Sequence, residues 1–173
     1  MSNNYKIRVP FSVNGIKSLS KKIRLLQSKL PEIQMEFKKQ SLLYIKQQAI
    51  FYIQSTTGNS QWYELTHLLE ESFITDYNLG TLINDCAYSA FVEYGTGIVG
   101  KGTHPDPKNY QYDVNSHGEK GWGFKDKNGN LHFTKGMEAH RFMYNAVNDY
   151  CMKGEYKRIF KEAVNKELGG LNE

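Results

Sequence analysis

The sequence predicts an α+β fold, with a small antiparallel sheet packed against a long helix in the N-terminal half and a long C-terminal helix, and an extended loop between them. Three observations predict it. Residues 33–53 and 139–168 carry apolar side chains at helical spacing. Two short segments flank Asn78-Leu79-Gly80 as strands flank a turn, and the Asn128-Gly129 pair is a strong hairpin signal.

From the N-terminus, Ile7, Val9, Phe11 and Val13 alternate with polar residues, which predicts an arm or edge strand over residues 1–14. Pro10 cannot donate to a central ladder and so favours the edge. After Gly15, the residues Ile16, Leu19, Ile23, Leu26 and Leu30 recur at helical spacing. Lys17, Lys21, Lys22, Arg24 and Lys29 fill the other faces, so this reads as a short basic helix. Pro31 suits the first position of a second helix, where its missing N–H costs nothing, and Glu32 suits the helix dipole. In that helix Ile33, Phe37, Tyr44, Ile45, Ala49, Tyr52 and Ile53 form one stripe. Met35, Leu42, Leu43, Ile50 and Phe51 widen it beyond one face, which calls for more than one neighbour. The cluster Ser55-Thr56-Thr57-Gly58-Asn59-Ser60 ends it.

Glu64 to Phe73 predicts a helical turn or two, and residues 73–77 and 81–86 predict two strands. Glycine, proline and asparagine then give a long loop from Gly95 to about Lys120, functional or ordered by a partner. Residues 122–125 and 131–134 are the arms of the second hairpin. Ala139, Phe142, Met143, Ala146, Val147 and Tyr150 begin the final helix, Gly154 marks a bend, and Tyr156, Ile159, Phe160, Ala163, Val164 and Leu168 continue it. Residues 15–168 form a single domain and 169–173 a flexible tail.

A chain of 173 residues can bury one sizeable core. Mean hydropathy is −0.61, and no apolar run approaches the ~18 residues of a membrane-spanning helix. The start lacks an apolar signal region, so the expectation is a protein that stays in the cytoplasm of the cell making it. Cys86 and Cys151 are expected as small buried hydrophobes. Charge is segregated: residues 1–50 hold ten Lys/Arg and two acids, whereas residues 51–100 hold six acids and no Lys/Arg. That pattern suits a nucleic-acid face, a subunit whose positive surface meets the negative surface of its neighbour, or solvated faces that happen to segregate.

Chemistry-bearing motifs are scarce. His104, His117, His132 and His140, with Asp106 and Asp113, show no dedicated ligand spacing, so no metal is expected and the histidines default to surface loops. Neither cysteine sits in a nucleophile motif, and no Gly-x-Ser-x-Gly elbow exists. Gly95, Gly97, Gly100 and Gly102 resemble a phosphate loop only superficially, because Lys101 is not followed by Ser or Thr. Sharp turning of an assembly loop accounts for them better. Catalytic residues and cofactors are therefore expected to be none.

The stretch Tyr88-Ser89-Ala90-Phe91-Val92-Glu93-Tyr94-Gly95-Thr96-Gly97 resembles the small tailed-phage morphogenesis proteins of the gp-ten-like neck and tail-completion family. Their signature is Tyr-Ala-x-aromatic-Val-Glu-aromatic-Gly-Thr-Gly. The resemblance continues through His117-Gly118-Glu119-Lys120-Gly121-Trp122, Phe133-Thr134-Lys135-Gly136-Met137 and Phe142-Met143-Tyr144-Asn145-Ala146, covering roughly residues 15–165. Ser89 stands where the family has Ala, and Thr57-Gly58 lacks the Pro and Leu that often flank it.

The resemblance implies a non-enzymatic virion protein of the neck and tail, a ring-forming subunit that joins the DNA-filled head to the tail and completes the tail. Its implied partners are further copies of itself, the head-closure or connector protein, tail-terminator or tail-tube proteins, and DNA passing non-specifically through the lumen. It would reside in the host cytoplasm during assembly, with no membrane contact. The implied structural and assembly residues are Tyr88, Phe91, Val92, Glu93, Gly95, Thr96, Gly97, Trp122, Gly136, Met137 and Phe142. Tyr88, Phe91 and Val92 are expected to pack inward, with Glu93 accepting from the Gly95-Thr96-Gly97 backbone or meeting a basic neighbour. Alternatives are a tail terminator subunit, a basic nucleic-acid-binding module, and a small hydrolase using Glu93 and a histidine.

Overall fold

The computed structural model describes residues 12–57, 67–106, 110, 120–126 and 128–169. Its first element, α1 (Val13–Thr57), is a single helix of 45 residues, about 67 Å long at ~1.5 Å per residue. Two helices separated at Pro31 were the expectation, and this is corrected: Pro31 lies inside α1. Proline removes one bond to the carbonyl four residues earlier, but here it sits at an exposed position and Lys29 pairs with Glu32 across it. Val13 and Asn14, expected in the arm, are helical, as are Ser55 to Thr57 of the breaker cluster. The strand predicted at Tyr5–Phe11 lies outside the described residues, as does Glu64.

The short helix α2 (Leu68–Glu71) leads into the strands β1 (Phe73–Asp76) and β2 (Thr81–Asn84), which pair antiparallel with Ile74 opposite Ile83. Asp76 closes their turn, its Oδ1 accepting the N–H groups of Asn78 and Leu79 at 2.8 and 2.9 Å. The second hairpin joins β3 (Trp122–Lys125) to β4 (Leu131–Thr134). Among the described residues the two hairpins form two separate two-stranded sheets, not one, and their four strands begin where the sequence predicted them. Between the hairpins lie the short helices α3 (Ser89–Tyr94) and α4 (Gly97–Gly100). Residues 96–106 of the predicted loop are therefore built structure, while most of 107–119 lies outside the described residues. After the two-residue strand β5 (Gly136–Met137) come α5 (Phe142–Met152) and α6 (Glu155–Leu168). The predicted bend is real: Gly154 adopts φ +72 between them.

The middle of α1 lies antiparallel to the α5–α6 pair, as its side-chain partners show. Tyr52 donates to Asp149 Oδ2 at 2.7 Å, Ser41 and Tyr150 share a 2.7 Å hydroxyl bond, and Lys166 meets Glu36 at 2.8 Å. Phe37 abuts Phe160 edge to face at 5.5 Å. The core collects Ala49, Ile53, Leu69, Phe73, Cys86, Phe142 and Ala146 from five different segments. Phe142 is 1% exposed and meets Phe73 edge to face, so the expected anchor is in place. Burying such a side chain stabilises by about 1.5–3 kcal/mol. Cys86 is buried as expected, but Cys151, near the C-terminal end of α5, is exposed.

Candidate functional site

The signature stretch folds into α3, Gly95, Thr96 and the start of α4, and the chain segment before α5 lies directly on it. Thr96 bridges Met137 and Gly97 bridges Gly136, both antiparallel. Thr96 Oγ1 accepts the Met137 N–H at 3.1 Å. The contact is too close for side chains: a Cβ on Gly136 would fall 1.9 Å from the Thr96 carbonyl oxygen, and one on Gly97 2.3 Å from that of Lys135. Both glycines also hold positive φ, +113 and +61. A Cβ on Gly100 would also clash, 2.7 Å from the Met137 carbonyl oxygen. These glycines admit backbone to backbone, which leaves no cradle for a phosphate.

Glu93 is the polar centre of the arrangement. Its side chain is 9% exposed, and a carboxylate so buried needs donors. Helix α5 supplies two: Met143 N–H donates to Oε2 at 2.8 Å and Tyr144 N–H to Oε1 at 3.0 Å. The residue before α5 is Arg141, at φ +58, with no side-chain cap. Glu93 thus does from a distant helix what a local Ser, Thr, Asp or Asn would ordinarily do. Its negative charge also lies at the positive end of the α5 dipole. The backbone repeats the junction, since His140 N–H donates to the Val92 carbonyl and Arg141 N–H to that of Glu93, at 2.9 and 3.1 Å.

A third donor is His104, whose Nε2 lies 3.2 Å from Glu93 Oε1. Its Nδ1 accepts the Asp106 N–H at 3.0 Å, which assigns the ring proton to Nε2 and makes the imidazole the donor. Tyr94 and Tyr144 pack on the imidazole at 4.6 and 5.3 Å between centroids, and Tyr110 stacks on Tyr94 at 4.7 Å. Thr103 completes the layer, accepting Ala139 N–H at 2.9 Å and donating to the Gly100 carbonyl at 2.7 Å.

Several expectations change. Glu93 does not accept from the Gly95-Thr96-Gly97 backbone; Gly95 N–H donates to the Phe91 carbonyl and Thr96 and Gly97 bridge Met137 and Gly136, while the carboxylate turns to α5 and His104. Phe91 does not pack inward but is 51% exposed, and Tyr88 is 37% exposed, because α3 is short and only its Val92–Glu93 side meets the core. His104 is no surface-loop residue, being 5% exposed. His132 is also engaged, with Nε2 2.9 Å from Asp126 Oδ2 in the second hairpin. That hydrogen bond, with those from Asn130 and Asn128, holds the Asp126 carboxyl well below its ordinary range. Trp122 is half-buried on β3, where it pairs with Thr134 of β4. Gly136 and Met137 do more than turn the chain, since they form the interlock itself.

Sequence reasoning missed His104, Thr103 and the N–H groups of Met143 and Tyr144. The signal for the last two was present: α5 has an apolar stripe but no capping residue before Phe142.

With three donors on its two oxygens, the Glu93 carboxylate acts as a structural acceptor. A shallow, open hollow is lined instead by Gln40, Tyr44, Arg158 and Glu162 on the α1–α6 face. Among the described residues no group of three or more His, Cys, Asp or Glu could hold a metal ion, and no helix is long and apolar enough to cross a membrane. Comparison with protein-family models, curated proteins and solved structures gives no match to this chain.

Proposed function

We propose that this chain is a ring-forming structural subunit of a tailed-phage neck, joining the DNA-filled head to the tail and completing the tail without making or breaking a bond. One observation carries the reading. The family-like motifs at 88–97, 133–137 and 142–146 converge on one junction, where Gly95 to Gly97, Gly136, Met137 and the capped start of α5 hold each other. Residues that resemble a family signature and are consumed by architecture support a role in shape and surface fit. In this reading the copies surround the DNA channel, and the connector lies on one side with the tail on the other. The ring is in the virion, after assembly in the host cytoplasm.

Electron microscopy of particles assembled without the chain tests this. Full heads beside finished but unattached tails are expected. Full heads with tails of uncontrolled length would make the chain a tail terminator, and normal infectious particles would overturn both readings.

A further inference from the structure

The helix α1 is only partly covered by its own subunit. Ile16, Leu19, Ile23, Leu26, Leu30, Ile33 and Phe37 recur at alternating three- and four-residue steps, the seam of a two-helix contact. At its C-terminal end the seam is filled: Ile33 is 1% exposed and Phe37 meets Phe160. Coverage then stops, because α6 ends at Leu168 and its Lys166 is already level with Glu36. Beyond that point Ile16, Ile23, Leu26 and Leu30 are 51, 46, 44 and 45% exposed. Residues 13–30 span about 27 Å of helix at ~1.5 Å per residue, and along it the described residues leave Ile16, Ile23, Leu26 and Leu30 exposed, with Leu19 half-buried between them.

The same molecule carries a smaller apolar face of opposite charge. In the β1–β2 hairpin, Phe73 and Leu82 point to the core, while Ile74 and Ile83 pair on the other face, 55 and 56% exposed. Strand alternation places Asp76 beyond Ile74 and Asp85 beyond Ile83 on that outer face, one at each end of the apolar pair. Four residues of strand put these two acids about 13 Å apart at ~3.3 Å per residue. On α1, Lys22 and Lys29 are one heptad apart, about 10.5 Å, and flank Ile23 and Leu26. Residues 13–31 contain five Lys/Arg and no acid, and residues 67–100 contain acids and no Lys/Arg.

We propose that the exposed seam of α1, Ile16 to Leu30, packs on the outer face of the β1–β2 hairpin of a second copy, with Ile74 and Ile83 against the stripe and Asp76 and Asp85 against its lysines. Charge decides between occupants. Two α1 seams facing one another would bring ten positive charges together, of which only the Lys29 of each copy has an acid, Glu32, beside it. The hairpin offers apolar contact and opposite charge together. Within one subunit α1 already rests on this hairpin, where Lys38 donates to the Asn78 carbonyl at 2.8 Å. The contact joins different patches on the two copies, so it leaves one face free at each end and propagates head to tail until a ring closes. It would form the seam of the proposed neck ring, and so rests on that reading for its setting.

The test uses the full chain in two variants, a seam variant (Ile23→Asp with Leu26→Asp) and a face variant (Ile74→Asp with Ile83→Asp), followed by native mass spectrometry and light scattering. Both pairs are solvent-exposed in the subunit, and circular dichroism checks that each variant is folded. Wild-type chain is expected to self-associate, more weakly as salt rises. Each variant alone should self-associate at least about tenfold more weakly. Their equimolar mixture should give a dimer and no larger species, because it retains one intact seam and one intact face. A gentler change keeps the apolar surface: Lys22→Glu should weaken association, and adding Asp85→Lys should restore it. A monomeric wild type, a face variant that associates as wild type does, or a mixture that stays monomeric would overturn the contact. Wild-type binding of duplex DNA or anionic vesicles that is lost in the seam variant, with self-association unchanged, would assign the seam to that partner instead. Association through these faces in a protein absent from virions would leave the contact standing and remove the neck reading.

Discussion

Glu93 Oε1 accepts the backbone N–H of Tyr144 at 3.0 Å across a sequence separation of 51 residues. With Met143 on Oε2 and His104 beside Oε1, this carboxylate fastens the signature stretch to the start of α5. Helix α5 in turn presents Phe142 and Ala146 to the core, so the cap and the core are coupled.

Replacing Glu93 should therefore cost stability. Glu93→Ala leaves two helix N–H groups and the His104 donor buried without their acceptor, a loss of about 2–4 kcal/mol. Glu93→Gln keeps one oxygen but turns an amide toward a donor, and should lose about 1–3 kcal/mol. Urea unfolding at neutral pH measures both. Equal stability of the alanine variant and wild type would remove Glu93 from its capping role.

Glycine at 136 and glycine at 129 should respond differently to the same change. Gly136→Ala drives a Cβ into the Thr96 carbonyl at φ +113 and should cost about 3 kcal/mol or more. Gly129 has φ +86 with open space around it, so Gly129→Ala should cost about 1 kcal/mol. Thermal melts of the two variants give the comparison. A G136A variant no weaker than G129A would show that the interlock does not form.

Burial lowers the pKa of the His140 imidazole from its ordinary value of 6.5. Its neutral form is thus favoured in the folded state, and the unfolded chain takes up the proton first as pH falls. The stability that this group contributes is complete above pH 6.5 and lost as pH drops from 6.5 toward the folded value. Unfolding free energy measured at intervals through that window should decline, and should decline less in His140→Asn. A pH slope identical in the two proteins would contradict the assignment.

The Asp149 carboxyl is lowered from 3.8, first by Lys153 and then by Tyr52. A depressed carboxylate stabilises above its unfolded value, so this contribution is present above pH 3.8 and lost as pH falls below it. Tyr52→Phe removes one of the two hydrogen bonds. It should cost under about 1 kcal/mol at neutral pH, since the pair is half-exposed, and should flatten the acid limb below pH 4. An unchanged acid limb would show that Tyr52 and Asp149 do not interact in solution.

Much of the fold was legible because its signals are local. The two hairpins were readable from Asn78-Leu79-Gly80 and Asn128-Gly129, and α5 and α6 from one apolar stripe broken at Gly154. Pro31 misled for a physical reason: a proline at a first helical turn and a tolerated interior proline leave the same local pattern. The junction was half legible. The close glycines were readable as a need for tight backbone, but their partner lies some forty residues away, as the Thr96–Met137 bond shows. His104 looked like a loop residue because nothing in residues 101–106 signals that Tyr94 and Tyr144 enclose it.

The proposed role in a phage neck is tested most directly by cryo-electron microscopy of complete virions from cells that express this chain. The account predicts a ring of copies around the DNA channel at the head–tail junction, with the Glu93–α5 junction recognisable in each. A complete neck map with no density for this fold, together with its absence from the virion by mass spectrometry, would contradict it.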